Sequence, residues 1–315
     1  MGRMKVFLWH VHGSWTTNFV QGRHEYFVPV VPDRGPDGRG RARTWEWPEN
    51  VREVPIDCAR TLPFDVLVAQ RPEELDGLAA QWLGGRRPGI DVPTVYVEHN
   101  APQGRIDAMR HPAADRCDVA VVHVTHHNAL FWDTGVAPTR VIEHGIADPG
   151  YRYSGELDRA AVVVNEPVRR HRVVGTDLLP RFAASTPVDV YGIASEAIGG
   201  LGDLPQHSLH CELARRRTYL HPYRWTSLGL SLIEAMHLGM PVVALATTAA
   251  VEAVPRDAGV VSARIDVLQD ALQRFNADRE LARATGARGR AHALDAFGLE
   301  RFLDEWDRLL EEVVR

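Results

Sequence analysis

The residues best placed to do chemistry lie in one stretch, Thr226-Ser-Leu-Gly-Leu-Ser-Leu-Ile-Glu234-Ala-Met-His-Leu-Gly239-Met-Pro-Val-Val-Ala-Leu245. It reads as strand, helix, strand. An apolar run covers Thr218 to Pro222, a helix begins on small residues around Gly229, and a second apolar run covers Pro241 to Leu245. A helix N-terminus carries unpaired N–H groups and the positive end of the macrodipole, which together suit an anion. Glu234 lies about two turns further on. A carboxylate on an otherwise apolar helix needs a reason to be there. Gly239 is placed to stop the helix, and Pro241 to start the next strand. The bland alternative is a buried strand–helix–strand unit that binds nothing.

Composition limits the chemistry. The chain has 315 residues, 45% hydrophobic, with a formal net charge of −5. That is a globular composition with room for two domains, and it excludes a strong polyanion partner such as nucleic acid. Lys5 is the only lysine, so a cation that binds phosphate must be arginine or protonated histidine. The arginine bias also suggests a GC-rich bacterial genome. Cys58, Cys117 and Cys211 have neither metal-ligand spacing nor an even-numbered framework, which fits reduced thiols and a cytoplasmic location. Met1 to His12 is too short in its apolar core for a signal peptide, and no apolar run is long enough to span a membrane.

The other candidates are histidines and arginines. His99 ends a strand, and ligands of parallel sheets bind at the carboxyl ends of strands. His10 and His12 form one close group, and His123, His126 and His127 another. A zinc site needs three or four converging ligands, which the sequence does not fix, so no metal is expected. No Asp-x-Asp pair occurs. Arg169, Arg170 and Arg172 form a basic run that is either a solvated loop or a phosphate site.

The elements that must position these groups alternate. Apolar strands are expected over 5–10, 64–70, 94–98, 119–124 and 140–143, then over 160–165, 188–192, 218–222, 241–245 and 259–262. Helices are expected over 73–82, 126–132, 176–182, 209–216, 267–275 and 279–294. The polar Gly35 to Arg43 stretch reads as a mobile loop. Apolar strands between helices argue for α/β units with parallel sheets. The pattern restarts near Ala147-Asp-Pro-Gly150. The 297–314 helix is strongly amphipathic, with Phe302, Trp306, Leu309, Leu310 and Val313 on one face.

The Thr226–Leu245 stretch resembles the signature of retaining glycosyltransferases of the "glycosyl transferases group 1" family. Their pattern is Glu-x7-Glu within Glu-Gly-Phe-Gly-Leu-x-x-x-Glu-Ala-Met-x-x-Gly-x-Pro-Val-Val. Thr226 stands where the first glutamate is usual, and Ser227 where a glycine is. The resemblance implies an α/β GT-B fold, two Rossmann-like domains facing across a cleft. Residues 1–148 would be the acceptor domain and 149–297 the nucleotide-sugar domain. The 298–315 helix either packs back on the first domain, as in the family, or caps its own.

The resemblance also assigns roles. Glu234 would accept hydrogen bonds from the ribose hydroxyls, since a carboxylate suits two vicinal donors. Backbone near Leu228, Gly229 and Leu230 would face the diphosphate or the sugar. Thr226 and Ser227 would lie beside the sugar, with Arg224 nearby. Glu252 falls where the family has a glutamate after Pro-Val-Val-x-x-x-x-Gly-Gly, the glycine pair being Thr248 and Ala249 here. Gly175-Thr-Asp-Leu-Leu179 fits the family's Lys-Gly-x-x-x-Leu, with Val174 at the lysine position. Arg169, Arg170 and Arg172 are then its replacements, and arginine binds phosphate bidentately. His99 matches a histidine at the cleft floor. His144-Gly-Ile matches the Asn-Gly-Val turn that begins the hinge. His12, Gly13, Ser14 and Asn100 fall on the acceptor side.

The implied activity is transfer from a nucleoside-diphosphate sugar to a small-molecule or glycan acceptor, with retention and without metal or other cofactor. The leaving phosphate would take the acceptor's proton. Two rivals stand beside it. One is a non-catalytic GT-B partner subunit or pseudoenzyme, favoured by Thr226 and Val174. The other is a Rossmann oxidoreductase, which would want Gly-x-Gly-x-x-Gly after the first strand, where only Gly13 is found. Nucleotide base, sugar, acceptor and oligomeric state are not legible in the sequence.

Overall fold

The computed structural model describes residues 2–315. The chain divides into two compact units, Met1–Gly145 with Leu299–Arg315, and Ile146–Gly298. Each is built on a parallel sheet.

The first unit has seven strands: β1 (Lys5–Leu8), β2 (Glu25–Val30), β3 (Val51–Pro55), β4 (Val66–Ala69), β5 (Thr94–Glu98), β6 (Val119–His123) and β7 (Thr139–Val141). Their order across the sheet is β3-β2-β1-β4-β5-β6-β7. Every neighbouring pair is parallel. β4 and β5 are buried along their whole length, as expected of strands covered on both faces. β2 and β3 escape the sequence pattern. β2 carries Pro29 in mid-strand, and β3, Val-Arg-Glu-Val-Pro, is an edge strand with alternate burial.

The terminal helix Leu299–Val314 belongs to this unit. Its apolar face buries Phe302, Trp306, Leu309 and Leu310. Trp306 meets Trp15 and Phe19 edge-on, with ring centroids 5.6 and 5.1 Å apart. Arg301 donates to the carbonyl oxygens of Glu143 and His144 at 3.0 and 2.7 Å. The Gly35 to Arg43 stretch is fastened rather than loose. Arg34 grips Glu53 bidentately, the Arg41 N–H donates to Glu53, and Asp37 pairs with Arg71.

The second unit has five strands, β8 (Leu157–Val163), β9 (Val188–Tyr191), β10 (Arg216–His221), β11 (Val242–Leu245) and β12 (Gly259–Ser262), ordered β12-β11-β10-β8-β9 and all parallel. β10 begins two residues earlier than its apolar run, because Arg216 and Arg217 are buried with partners. Arg216 pairs with Asp189 at 2.8 Å, and Arg217 donates to the Gly155 carbonyl at 2.6 Å. The signature helix runs Leu230–Leu238 and ends on Gly239 at φ 89°. Among the described residues no helix is long and apolar enough to cross a membrane.

Candidate functional site

In the second unit the candidates converge where β10 gives way to the signature helix. Gly229 is its N-cap, and no side chain caps it. In the first turn the Leu232 N–H donates to the Gly229 carbonyl at 2.9 Å, and no side-chain cap takes up the N–H groups of Leu230 and Ser231. A Cβ on Gly229 would lie 2.8 Å from His221 Cε1 and 3.0 Å from Tyr223 Cε2. Glycine is thus required by close approach of two rings, not by its own backbone, which is ordinary at φ −73°. Tyr223 is anchored by its hydroxyl, which donates to the Val163 carbonyl at 2.8 Å. His221 is buried, and neither of its ring nitrogens has a hydrogen-bond partner. Burial drops its pKa to about 3, so it is a neutral wall of the site.

The four arginine candidates separate. Arg169 is tied to Glu166. Arg172 donates to Asp177 at 3.0 Å. Arg224 grips the same Asp177 carboxylate with both nitrogens. Arg170 appears in none of the ion pairs of the described residues. Its guanidinium carbon sits 6.0 Å from the Tyr223 ring centroid, on the ring that borders Gly229. Val174, at the lysine position, is fully buried in the core and has no place for a charge. Gly175 is needed beside it, at φ 76° with a Cβ position that would run into the Pro222 carbonyl.

Glu234 is buried on the signature helix. Its Oε1 accepts from Gln206 Nε2 at 3.3 Å, and its Oε2 lies 3.4 Å from His210 Nε2. Both partners come from the helix Gln206–Arg215, and neither was singled out by the sequence. Thr226 and Ser227 lie in the bend before Gly229, with Ser227 and Leu228 buried and Thr226 half-buried. The Ser227 carbonyl accepts from the Ala249 N–H at 3.3 Å, which seats the loop after β11 on this bend. Thr248 in that loop adopts φ 51°, a left-handed backbone that a β-branched residue rarely takes. The loop thus keeps the geometry a glycine would ease. Glu252 is exposed on the short helix Ala250–Ala253.

In the first unit the candidates gather at the carboxyl ends of β1, β4, β5 and β7. The His12 and His99 rings lie 3.9 Å apart, and the edge of Trp15 meets His99 at 5.0 Å. His99 Nε2 faces Gln70 Oε1 at 3.1 Å. Burial, then the neighbouring His12 and His144, hold the His99 pKa well below the usual histidine value. Burial, with Arg39 and Arg71 nearby, brings His12 to about 4. Burial, then His12 and Arg301, brings His144 to about 3. All three rings are neutral at physiological pH, so this end of the unit supplies hydrogen bonds without histidine charge. Gly13 faces Trp45 and His10 at ordinary contact distance. Ser14 and Asn100 are held through their backbones. The Ser14 carbonyl accepts from Asn18, and the Asn100 carbonyl from Trp132 Nε1, both at 2.8 Å. Asn100 is exposed. Gln70 and Trp15 had no signal in the sequence. The other histidine group does not converge, and among the described residues no three His, Cys, Asp or Glu side chains are placed to hold a metal ion.

Comparison with known proteins bears on the fold and on part of the second unit. Residues 194–292 match the family model "Glycosyl transferases group 1". Among solved structures, sucrose-phosphate synthase from Thermosynechococcus elongatus superposes with a TM-score of 0.72 at 14% identity, over 99% of each chain. HepE of Anabaena, solved in complex with UDP, gives 0.70 at 14% identity over 98% of this chain and 100% of its own. AviGT4, a glycosyltransferase involved in avilamycin A biosynthesis, gives 0.65 at 16% identity over 99% and 98%. The fold is GT-B. No curated protein matches the chain by sequence. The family match falls within the second GT-B unit and contains Thr226, Gly229, Glu234, Glu252 and the helix that carries Gln206 and His210.

Proposed function

We propose that this protein is a retaining, metal-independent glycosyltransferase that moves a sugar from a nucleoside diphosphate to an acceptor. The observation that carries the reading is the uncapped helix N-terminus at Gly229, walled by His221 and Tyr223 inside the matched stretch. Such a terminus is suited to a diphosphate. Arg170, poised over Tyr223, supplies a full positive charge beside it, and Glu234, buried on the same helix, would be the carboxylate that meets the ribose. The HepE structures hold UDP and UDP-glucose, which makes UDP the first nucleotide to try. The acceptor would be bound by the first unit around His12, Gly13, Ser14, His99 and Asn100. Charge grows on the leaving phosphate in the transition state. N–H groups and an arginine aimed at it are worth on the order of 3 kcal/mol each.

A non-catalytic role has its own support. Thr226 replaces a carboxylate, and Asp177 occupies Arg172 and Arg224. One experiment separates the readings. UDP, GDP and dTDP are screened by thermal shift with and without EDTA, and the stabilising nucleotide is then offered as its sugar donors with simple acceptors. Stabilisation that survives EDTA, followed by transfer with the anomeric configuration kept by NMR, is the expected result. Binding without turnover favours the non-catalytic role. No stabilisation by any of the three, or loss of it in EDTA, overturns the proposal.

A further inference from the structure

The histidines at the carboxyl ends of the first sheet are neutral, so positive charge there comes from arginine. Arg39 is exposed and takes part in no ion pair among the described residues. Its guanidinium makes one long hydrogen bond among them, from Nη1 to the Val11 carbonyl at 3.4 Å, one residue before His12. Arg71 follows β4, the strand that pairs with β1. Its Nε donates to Glu74 Oε1 at 2.6 Å, and its Nη1 to Asp37 Oδ1 at 2.8 Å. The third nitrogen, Nη2, is buried without a hydrogen-bond partner. A buried guanidinium nitrogen left unpaired is costly, so this one calls for an acceptor that the fold does not provide. After burial itself, Arg39 and Arg71 are the groups that oppose protonation of His12, so both guanidiniums lie beside that ring. Asp37 and Glu74 answer Arg71, but burial lifts the Glu74 pKa to about 7, and no carboxylate among the described residues answers Arg39. Positive charge is left over beside His12.

We propose that Arg39 and Arg71 form an anion subsite beside His12 that takes a phosphate monoester, so that the acceptor is a sugar phosphate or polyol phosphate. A phosphate monoester carries nearly two negative charges at neutral pH and three terminal oxygens, enough to meet two guanidiniums at once. A carboxylate has one charge and two oxygens, which a single guanidinium fork already satisfies. That the anion belongs to a glycosyl acceptor rests on the glycosyltransferase reading; the subsite itself does not.

The test uses the full chain labelled with 15N-histidine and two-bond 1H–15N correlation spectra. His12→Gln removes one of the fifteen histidine spin systems and so assigns the reporter. The chain is titrated at neutral pH with glucose 6-phosphate, inorganic phosphate, glucose and glucuronate. Glucose 6-phosphate and inorganic phosphate are expected to move the His12 signals to saturation, glucuronate to bind more weakly, and glucose to leave them in place. Arg39→Ala should weaken glucose 6-phosphate binding about tenfold, the worth of one charge-assisted hydrogen bond, and Arg39→Glu should abolish it. Arg71→Lys keeps the charge without the fork and should weaken binding severalfold. Arg71→Ala leaves Glu74 buried and uncompensated; where it does not fold, Arg71→Lys and the Arg39 variants decide. His12 signals that stay in place, or that move as far with glucose, overturn the proposal. So does glucuronate bound as tightly as glucose 6-phosphate, or an unchanged affinity in Arg39→Glu. Once a donor is known, equal kcat/KM for a neutral acceptor and its phosphate overturns the acceptor half. Glucose 6-phosphate binding as expected in a protein that binds no nucleoside diphosphate sinks the glycosyltransferase reading while the subsite stands.

Discussion

Arg224 holds Asp177 with both ends of its guanidinium, Nη1 to Oδ1 at 2.6 Å and Nη2 to Oδ2 at 2.9 Å. The same arginine donates to the Arg172 carbonyl at 2.9 Å, and its backbone N–H donates to the Val173 carbonyl at 2.9 Å. The contact joins the loop after β10 to the segment after β8. Those two loops carry Tyr223 and Arg170. Asp177 titrates below the usual aspartate range because of this hydrogen bond. The clamp therefore shapes the site by holding its loops together, while Arg170 remains available for an anion.

From this the arginines should part in function. Arg170→Ala should lower turnover more than ground-state nucleotide affinity, because negative charge grows on the leaving group in the transition state. Arg170→Lys should rescue only in part, since a point charge cannot reproduce the planar fork. Arg224→Ala should instead lower the melting temperature, by about 1 kcal/mol of stability for a partly exposed bidentate pair. Kinetics and calorimetry on the three variants check this. If Arg170→Ala retains full rate, the diphosphate is not where the helix terminus places it.

Glu234 gives the second prediction. Its carboxylate is already engaged by Gln206 and His210, so these hold it in place before any ribose arrives. Glu234→Ala should weaken nucleotide binding by ~1.5–3 kcal/mol, the worth of charge-assisted hydrogen bonds. Gln206→Ala should weaken it less, because the acceptor remains and only its orientation loosens. Titration calorimetry measures both, and an affinity unchanged in Glu234→Ala removes that residue from the site.

The sequence disclosed what repeats or runs continuously. The apolar strands beside helices, the small residues at Gly229 and the stop at Gly239 are local patterns, and the α/β architecture follows from them. It did not disclose contacts between distant residues. Gln70 meets His99 across a separation of 29 residues. His210 meets Glu234 from another helix, and nothing in Gln-His-Ser-Leu-His marks either as a site residue. β2 and β3 were hidden because a proline and an edge position break the apolar run. The stripe on the terminal helix says that it must pack, but not on which sheet. A run of arginines says nothing of its partners, and Asp177 is what sorts this one.

A third prediction concerns pH. His123 is fully buried, and neither ring nitrogen has a hydrogen-bond partner. Burial, with His111 nearby, lowers its pKa from 6.5 to about 4. Between those values the unfolded chain takes up a proton that the folded ring refuses. Stability from this group therefore rises with pH through that window and is level above it. Going from pH 7.5 to pH 5 should cost about 2 kcal/mol through His123 alone. His12, His144 and His221 act with the same sign. Urea unfolding at the two pH values checks this. His123→Leu should show a smaller difference between them, and an equal difference would mean that the ring is already charged in the fold.

The last prediction returns to Gly229. Its backbone, at φ −73° and ψ 122°, is open to any residue, so only the two rings forbid a side chain there. Neither ring yields easily, since Tyr223 is tied to Val163 and His221 is packed between Tyr219 and Tyr223. Gly229→Ala should therefore destabilise by the ~1–3 kcal/mol typical of an overfilled core. It should also shift the helix N-terminus away from β10 and weaken nucleotide binding, although no ligand contact is lost from a side chain. Adding His221→Ala frees the space beside Cε1. The double variant should be more stable than the sum of the two single changes implies, a coupling expected between residues in contact. A neutral Gly229→Ala, or two strictly additive changes, would show that the rings do not crowd this position. The helix terminus would then owe its geometry to something other than the wall of His221 and Tyr223.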